Sequence, residues 1–308
     1  MKVKKVKALQ PYDTVGLTAP AGPVKKEKLA QAVTALETLN VHVEVGNTCY
    51  LEYRSYLAGR PRIRAEELNN MFSNEKISMV FCLRGGYGSP QILPYLNCAL
   101  MKENPKLLVG YSDITALHGY MQQCGIPSIH GPMPATDLIQ NDSFTINGLI
   151  ELLKGSSMPK IENPIGERLI SLVPGKARGI LTGGNLSLIC ALMGTPYEID
   201  TKGKILFLEE INEEPYKLDR MITQLALGNK LADAEGIILG TWEKCSSEDY
   251  QNIKLPDLFK ELLEPYGKPV LYNLRAGHCS PMVSLPFGAN LEMDSDAESI
   301  IVTEGIFQ

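Results

Sequence analysis

The first half of the chain repeats one unit, in which a short apolar run ends in small residues and a helical pattern follows. The apolar runs are TVGLTAPAG (14–22), ISMVFCLRGGYGS (77–89) and LLVGYSD (107–113). Between them, apolar residues recur at helical spacing over 26–39 and 61–74. Strands that alternate with helices in this way predict a parallel sheet with helices on both faces. The N-terminal part is therefore predicted to be a parallel α/β domain, flavodoxin-like or Rossmann-like.

The pattern changes after residue 155. The stretch 156–178 is rich in proline, glycine and charged residues, which is typical of a connection between domains. Beyond it, VSLPFGANLEMDSDAESIIVTE (283–304) has the pattern of a closing run of antiparallel strands. We predict an N-terminal α/β domain over 1–155, a linker over 156–178 and a smaller, β-rich C-terminal domain over 179–308.

The composition is that of a soluble globular protein, and it limits the partners. Of the 308 residues, 44% are apolar and 21% are charged, and the net charge of −5 argues against nucleic acid as a partner. No apolar stretch reaches the length of about 18 residues that crossing a membrane requires. The basic start MKVKKVK is followed by polar ALQPYD, unlike a secretory signal. We expect a cytoplasmic protein without a membrane partner.

The seven cysteines have neither the spacing of a disulfide framework nor that of a zinc site. Their number is odd, and no C-x-x-C pair occurs. We expect reduced thiols, no metal and no cofactor.

A serine stands where the third apolar run turns into a helical pattern. In G-Y-S-D, the hydroxyl of Ser112 can be exposed above the sheet, and the amide of Asp113 can point at an oxyanion. A serine at this place is also typical of a helix N-cap. Taken alone, the residue favours the cap.

A glycine-rich loop follows the second apolar run, at the edge of the sheet where ligands bind in such folds. In Arg84-Gly85-Gly86-Tyr87-Gly88, the glycine amides can approach an anion closely, and the guanidinium can hold a carboxylate. The spacing of a phosphate loop is absent. A plain tight turn, with Arg84 in a structural salt bridge, is the alternative.

Acids and histidines occur at further predicted strand ends. Glu209 and Glu210 end the run ILFL and are followed by N-E-E-P, which gives four acids in six positions. His278 follows the run PVLYNL, and His130 in PSIHGPM is its chief rival as a base. The remaining histidines are interpreted as structural or solvated: His42 and His118. A serine, an acid and a histidine at three strand ends are typical of nucleophilic acyl transfer.

Six blocks of the sequence together resemble the LD-carboxypeptidase family, which includes muramoyl-tetrapeptide carboxypeptidases and microcin C self-immunity peptidases. The blocks follow the family's order between about Val15 and Ala289: FCLRGGYGSPQILPYL, LLVGYSDITALH, IHGPM, GILTGGNLSLICALMGTPYE, ILFLEEINEEPYKLDRMITQL and GHCSPMVSLPFGA. The resemblance implies a serine peptidase with a parallel α/β N-terminal domain and a smaller, β-rich C-terminal domain. It also implies an active site between the domains and a homodimer.

Matched block by block, the resemblance implies a Ser-His-Glu triad. It places the nucleophile on Ser112, the base on His278 and the acid on Glu209. Further site residues are then expected as follows: Asp113 and Gly86 as oxyanion donors, and Arg84, Gly85 and Tyr87 as substrate-binding residues.

The common reaction of the family releases the terminal D-alanine from murein tetrapeptide in the cytoplasm, during cell-wall recycling and without a metal. A microcin C-type peptidase that cleaves aminoacyl-nucleotide conjugates is one alternative, and a non-catalytic, small-molecule-binding α/β protein is another. The chain shows no extra loop with an aromatic residue for a nucleobase, which favours murein. A glutamine amidotransferase-like enzyme has a similar α/β layer, but it uses cysteine where this chain has Ser112.

Overall fold

The chain forms two compact units. The structure is a computed structural model, and it describes these residues: 3–155, 160–246 and 252–308. The first unit holds the N-terminal half together with two later segments, Ser284–Gly288 and Ile306–Gln308. The second unit holds the described residues between 160 and 283 and the segment Ala289–Gly305. The chain therefore returns twice to the first unit after entering the second.

The predicted division into 1–155, 156–178 and 179–308 stays a prediction about domain boundaries. Residues 156–159 of the predicted linker lie outside the described residues. Later in the same stretch the chain is already in a strand, at Ile170–Val173.

The described residues form strands and helices in the alternation that the first half of the sequence predicts. The strands are β1 (Thr14–Thr18), β2 (His42–Val45), β3 (Ile77–Cys82), β4 (Leu107–Gly110), β5 (Ser128–His130), β6 (Ile170–Val173), β7 (Lys176–Asn185), β8 (Lys204–Ile211), β9 (Gly236–Glu243), β10 (Val270–Tyr272), β11 (Leu285–Phe287), β12 (Asn290–Asp294) and β13 (Ser299–Glu304). The helices are α1 (Lys26–Glu37), α2 (Pro61–Ser73), α3 (Cys98–Glu103), α4 (Thr115–Gln123), α5 (Ser143–Leu153), α6 (Leu186–Ala191), α7 (Pro215–Leu227), α8 (Lys230–Asp233) and α9 (Leu255–Leu263).

The first unit is built on a six-stranded sheet with the order β11-β5-β4-β3-β1-β2. The five strands from β1 to β5 are parallel, and their order is the flavodoxin-like one. The late strand β11 adds to the edge, antiparallel to β5. The predicted parallel α/β fold is thus confirmed, with one strand that the closing part of the sequence supplies.

The inner strands β1 and β4 of this sheet are largely apolar and buried. Val15 and Leu17 in β1 are fully buried, as are all four residues of β4. On α1 the buried side chains are Leu29, Ala32 and Leu36, which share one face at helical spacing. Each fully buried valine or leucine side chain stabilises the fold by about 1.5–3 kcal/mol. The buried sheet therefore fixes the positions at which the loops of its carboxyl edge begin.

The second unit is built on a seven-stranded mixed sheet with the order β13-β12-β7-β8-β9-β10-β6. Its centre, from β7 to β10, is parallel, whereas β6, β12 and β13 pair antiparallel at the edges. Helices α6, α7 and α9 share one apolar core with the central strands. The predicted β-rich unit is confirmed, and the predicted closing antiparallel run corresponds to β12 and β13.

One cysteine pair differs from the expectation of reduced thiols. Cys98, at the start of α3, and Cys124, just after α4, form a disulfide with their Cα atoms 5.6 Å apart. The sequence could not show this pair, because 26 residues separate the two cysteines and only the fold brings them together. Four further cysteines are free thiols, and all of them are buried: Cys49, Cys82, Cys190 and Cys245.

Within the described ranges, no helix has both the length and the apolar character that a membrane-spanning helix needs.

Candidate active site

Ser112 lies at the corner between β4 and α4, at the carboxyl edge of the first unit's sheet. Its backbone φ is 63°, a left-handed conformation that costs a non-glycine residue about 1–3 kcal/mol. The N-cap position of the short helical turn that begins here belongs to Tyr111, so the helix-cap interpretation of Ser112 is wrong. A strained serine between a strand and a helix is typical of an exposed nucleophile.

Gly85 packs closely against Ser112. A Cβ atom at position 85 would lie 3.1 Å from the Oγ atom of Ser112 and 3.4 Å from the backbone nitrogen of Asp113. The φ of Gly85 is not left-handed, so space and not backbone conformation favours glycine here. A hydroxyl and a backbone amide that lie against the same glycine are groups that can attack a carbonyl and receive its oxyanion.

Main-chain hydrogen bonds join the loops that follow β1 and β3. The amide of Leu83 donates to the carbonyl of Thr18 at 2.7 Å, and the amide of Gly22 donates to the carbonyl of Gly85 at 3.2 Å. Because Gly85 also faces Ser112, the loops after β1, β3 and β4 meet at one edge. This is the meeting point that a parallel sheet predicts.

A buried arginine on α2 holds these loops, and the sequence analysis missed it. The side chain of Arg64 is fully buried and donates to the carbonyls of Pro20, Gly59 and Gly88 and to the side chain of Gln91. Its guanidinium thereby ties three loop segments together. The available signal was an arginine on the apolar face of a predicted helix, which is rare unless the charge is paired.

The carboxylate next to Ser112 faces inward and not toward solvent. Asp113 is 2% exposed, and its Oδ2 atom accepts the amide of Ser89 at 2.7 Å. Burial raises the pKa of this carboxyl, while hydrogen bonds from Ser89 and Gly88 and the charge of Arg64 oppose the rise. The side chain of Asp113 therefore holds the short helical turn that begins at Ser89. Only the backbone amide of Asp113 is left for a ligand.

The corner is also supported by a buried histidine. His118 on α4 lies within hydrogen-bond distance of the carbonyl of Gly110 through Nε2 and of the hydroxyl of Ser128 through Nδ1, both at 2.8 Å. Because a carbonyl only accepts, Nε2 carries the proton and Nδ1 accepts from the hydroxyl. Burial lowers the pKa of His118 to about 4. The predicted structural role of this histidine fits its neutral, buried state.

Arg84 has few partners for a charged side chain. It is half-buried, and its hydrogen bond goes to the carbonyl of Pro23 at 3.4 Å. Among the residues that the structure describes, it pairs with no carboxylate, so the salt-bridge alternative is wrong for this part of the chain. Of the neighbouring loop residues, Gly86 has φ = 116° and Tyr87 is 55% exposed.

In the second unit, Glu209 and His278 form a hydrogen-bonded pair. The Nδ1 atom of His278 lies 2.7 Å from Oε2 of Glu209, and the backbone amide of His278 donates to the same oxygen at 3.2 Å. Glu209 is fully buried, whereas 15% of the His278 side chain is exposed. A buried carboxylate that holds one ring nitrogen orients the imidazole and fixes its tautomer.

The backbone before His278 makes this close approach possible. Gly277 has φ = 107°, and a Cβ atom there would lie 2.5 Å from Oε2 of Glu209. The carbonyl of Ala276 accepts both the amide and the hydroxyl of Thr241, each at 3.1 Å, at an irregularity in the pairing of β8 with β9. A glycine is therefore required before His278, because any side chain at position 277 would collide with Glu209.

The second acid of the cluster has another role. Glu210 accepts the side-chain amide of Asn185 at 2.8 Å and the backbone amide of Ser187 at 2.7 Å. Burial raises the pKa of its carboxyl, against these hydrogen bonds. Glu210 thus stabilises the turn from β7 into α6. The remaining acids of this stretch pair with Lys217: Glu213 and Glu214.

The rival base lies in the interior of the first unit. His130 is fully buried in β5, and its ring lies 5.8 Å from that of Tyr111 and 5.5 Å from that of Phe287. His42 lies exposed on β2. Only His278 combines partial exposure with a carboxylate partner among the four histidines.

Comparisons with known proteins identify the family of the chain. Residues 15–131 match the LD-carboxypeptidase N-terminal domain, and residues 178–293 match the LD-carboxypeptidase C-terminal domain. A probable murein peptide carboxypeptidase of Bacillus subtilis is 38% identical over 98% of this chain and 95% of its own length. The chain therefore belongs to the LD-carboxypeptidase family.

Solved structures show the same fold. The muramoyltetrapeptide carboxypeptidase of Oxalobacter formigenes has a TM-score of 0.83 at 28% identity and covers 95% of this chain and 99% of its own. The microcin C7 self-immunity protein MccF has a TM-score of 0.90 at 24% identity and covers 99% of each chain. The expected family and its two-domain α/β architecture are both confirmed.

Proposed function

We propose that the chain is an L,D-carboxypeptidase that releases the terminal D-alanine from murein tetrapeptide, with Ser112, His278 and Glu209 as its triad. The observation that carries the proposal is the 2.7 Å contact between His278 and the buried carboxylate of Glu209. Since this contact engages Nδ1, Nε2 is the nitrogen that accepts a proton from the nucleophile. The relatives named for murein peptides and muramoyltetrapeptide support the substrate class.

The proposed reaction is a serine acyl transfer. His278 removes the proton of Ser112, and the serine oxygen attacks the carbonyl that joins the L-centre of the third residue to D-alanine. The amides of Asp113 and Gly86 receive the oxyanion, and losing one such donor typically costs about 2.7–4 kcal/mol of barrier. The C–N bond then breaks, His278 protonates the leaving D-alanine, and water hydrolyses the acyl-enzyme. The position of the Ser112 hydroxyl and the Asp113 amide against the same glycine supports their use as nucleophile and oxyanion donor.

Arg84 is proposed to bind the terminal carboxylate of the substrate. Its half-buried guanidinium has no acidic partner in the part of the chain that is described, and a charge of this kind favours an anionic ligand. Arg84→Gln should raise KM for the tetrapeptide about tenfold or more while kcat changes less. A tetrapeptide that ends in D-alaninamide should not distinguish the variant from the wild type; an equal KM for the acid would exclude this role.

The direct test is chromatography of murein tetrapeptides incubated with the purified protein. We expect D-alanine and the tripeptide as products, with lysine and with diaminopimelate at the third position assayed separately. Ser112→Ala should form neither product. EDTA should leave the rate unchanged, because the proposed chemistry needs no metal. Loss of activity with EDTA and its recovery with zinc would overturn the proposal.

Parallel assays separate the other functions that the sequence left open. An aminoacyl-sulfamoyl nucleotide, incubated beside the tetrapeptide, tests a microcin-type activity. A serine-directed phosphonate that labels Ser112 distinguishes a catalyst from a binding protein. If the protein cleaves only the nucleotide conjugate, the murein substrate is wrong although the triad stands.

The proposed function includes the assembly and location that the family resemblance implies. We propose a homodimer, which light scattering would show as twice the chain mass of 33.9 kDa. We also propose a cytoplasmic location, where murein fragments are recycled, and cell fractionation would test it.

A further inference from the structure

The loop that follows β5 contacts the serine corner, and no step of the proposed reaction uses it. This loop, residues 131–137, is called the β5 loop here and ends before the short helical turn Leu138–Gln140. Its first five residues are buried, and Thr136 and Asp137 are half-buried. Loops usually run over the protein surface, so this one is packed more closely than a simple connection requires.

Two main-chain hydrogen bonds join the β5 loop to the strands that carry the candidate site. The amide of Gly131 donates to the carbonyl of Gly110, the last residue of β4, at 3.2 Å. The amide of Ala135 donates to the carbonyl of Leu83, just after β3, at 3.0 Å. The first acceptor lies just before the serine corner and the second just before the glycine-rich loop. The β5 loop therefore holds the points at which both of these segments begin.

A side-chain contact joins the same loop to the residue before the candidate nucleophile. The hydroxyl of Tyr111 donates to Oδ1 of Asp137 at 3.1 Å, and the ring of Tyr111 lies 5.8 Å from that of His130. Tyr111 is only 5% exposed. A side chain whose ring is packed and whose hydroxyl is bonded has few rotamers left, and the rotamer of a residue depends on its backbone. The contact with Asp137 therefore holds the backbone of Tyr111 as well.

The second oxygen of the same carboxylate fixes the β5 loop itself. Oδ2 of Asp137 accepts the amide of Met133 at 2.8 Å and the hydroxyl of Thr136 at 2.6 Å. The carbonyl of Met133 in turn accepts the amide of Asp137 at 2.9 Å. A carboxylate can accept several hydrogen bonds at once. Asp137 therefore uses one oxygen to close the turn of its own loop and the other to hold Tyr111.

The serine corner needs support from outside, because its backbone is strained. Ser112 has a φ of 63°, and a residue other than glycine keeps such a conformation only where its surroundings determine it. The glycine-rich loop contacts the corner at Ser112, whereas the β5 loop holds the residue before it. If Tyr111 shifted, the hydroxyl of Ser112 and the amide of Asp113 would shift with it, since both follow directly in the chain.

We propose that Asp137 is a positioning residue for the nucleophile and acts through the hydroxyl of Tyr111 on the backbone of Ser112. The proposal rests on the role that the proposed function gives to Ser112. Asp137 exchanges no proton with the substrate, and its task is to keep the attacking oxygen at the correct place. A small displacement of a reacting atom lowers the rate of attack, so the loss of this contact should lower kcat and leave substrate binding nearly unchanged.

The test measures how fast a serine-directed phosphonate labels Ser112, because labelling needs the nucleophile but no murein peptide. Tyr111→Phe keeps the ring and removes the hydroxyl. We expect it to lower both the labelling rate and kcat for the tetrapeptide by about tenfold or more, while KM changes by less than about twofold. Asp137→Ala should have the same effect. Asp137→Asn should recover most of the rate, because its carbonyl oxygen can still accept the amide of Met133 and its NH₂ group can donate to the oxygen of Tyr111.

Tyr120→Phe is the matched control. The hydroxyl of Tyr120 on α4 donates to the carbonyl of Leu96 at 2.8 Å, and Tyr120 is 7% exposed. This variant also loses a buried tyrosine hydrogen bond of the first unit, but it leaves the contact between Tyr111 and Asp137 intact. It should keep the wild-type labelling rate and kcat. The two Phe variants should have similar melting curves, so that a slow Tyr111→Phe does not reflect loss of the fold.

Two results would overturn the positioning role. One is a wild-type labelling rate in Tyr111→Phe, and the other is an Asp137→Asn variant as slow as Asp137→Ala. If the phosphonate did not label the wild type, Ser112 would not be the nucleophile and the proposed function would fail. If the wild type were labelled but left the tetrapeptide intact, only the proposed substrate would be wrong, and the labelling rates would still decide the role of Asp137.

Discussion

The serine corner of the first unit and the Glu209–His278 pair of the second unit are built by different means. Ser112 is positioned by the backbone around it: its own left-handed conformation and the glycine beside it. The side chain of Arg64 holds the neighbouring loops through their backbone carbonyls. His278 is positioned by its side chain, through one short contact with a fully buried carboxylate. Activity should therefore be sensitive to backbone strain and close packing at Ser112. At His278 it should depend on one acceptor atom, Oε2 of Glu209.

The largest effect is expected at the corner itself. Ser112→Ala and Ser112→Gly should each lower kcat by about 10⁶, as loss of a serine nucleophile does. The two variants should differ in stability, because glycine tolerates the φ of 63° and alanine does not. We expect the glycine variant to be more stable by roughly 0.5–1 kcal/mol, measured by denaturant unfolding. Equal stability would show that the left-handed backbone stores no strain.

The next effect is expected at the carboxylate of the pair. Glu209→Gln keeps the shape but turns an acceptor into a donor, which holds the imidazole of His278 in the wrong tautomer. We expect kcat to fall about 10⁴-fold with little change in KM.

The adjacent acid provides the control for this change. Glu210→Gln should lower stability by about 1–3 kcal/mol, because a buried acceptor of several N–H groups is altered, while kcat stays within about tenfold. If Glu210→Gln removed activity and Glu209→Gln did not, the triad acid would be Glu210.

A smaller effect is expected from adding a methyl group that presses against the serine. Gly85→Ala places a methyl group 3.1 Å from the Oγ atom of Ser112, and displacements of about 1 Å in an active site can cost about 10² in rate. We expect kcat/KM to fall by about that factor, with stability changed by less than about 1 kcal/mol. Gly148→Ala, with open space around it on α5, should instead stabilise by about 0.5–1 kcal/mol at unchanged rate. A wild-type rate in Gly85→Ala would mean that the close packing of Gly85 on Ser112 does not matter for the reaction.

The elements that follow from local pattern were predictable. Residues 26–39 and 61–74 were predicted as helices, and the structure has α1 and α2 there, because helical spacing of apolar residues is encoded locally. The parallel sheet was predictable for the same reason. The pairing of β11 with β5 was not, because a strand near residue 286 looks the same in sequence whichever sheet it joins.

The site residues that belong to sequence motifs could be predicted. The residues that support the site only through packing and hydrogen bonds could not. Ser112, Glu209 and His278 were selected by resemblance, and their roles stay predictions. The support from Arg64 could not be derived, because two of its carbonyl partners, Pro20 and Gly88, lie 44 and 24 residues away in sequence. The left-handed φ of Ser112 was likewise invisible, since serine is common in ordinary conformations.

The last expected effect is a pH dependence of folding stability, and it concerns the first unit alone. Burial lowers the pKa of His118 from 6.5 to about 4, so between these values the unfolded chain binds more protons than the folded one. The stabilisation is complete above pH 6.5 and is lost as pH falls to about 4, by about 3 kcal/mol.

Urea unfolding across this range should show the dependence of unfolding free energy on pH in the wild type and a smaller slope in His118→Gln. His42→Gln, at an exposed histidine, is the control and should keep the wild-type slope. An unchanged slope in His118→Gln would mean that the corner behind Ser112 does not depend on a neutral imidazole.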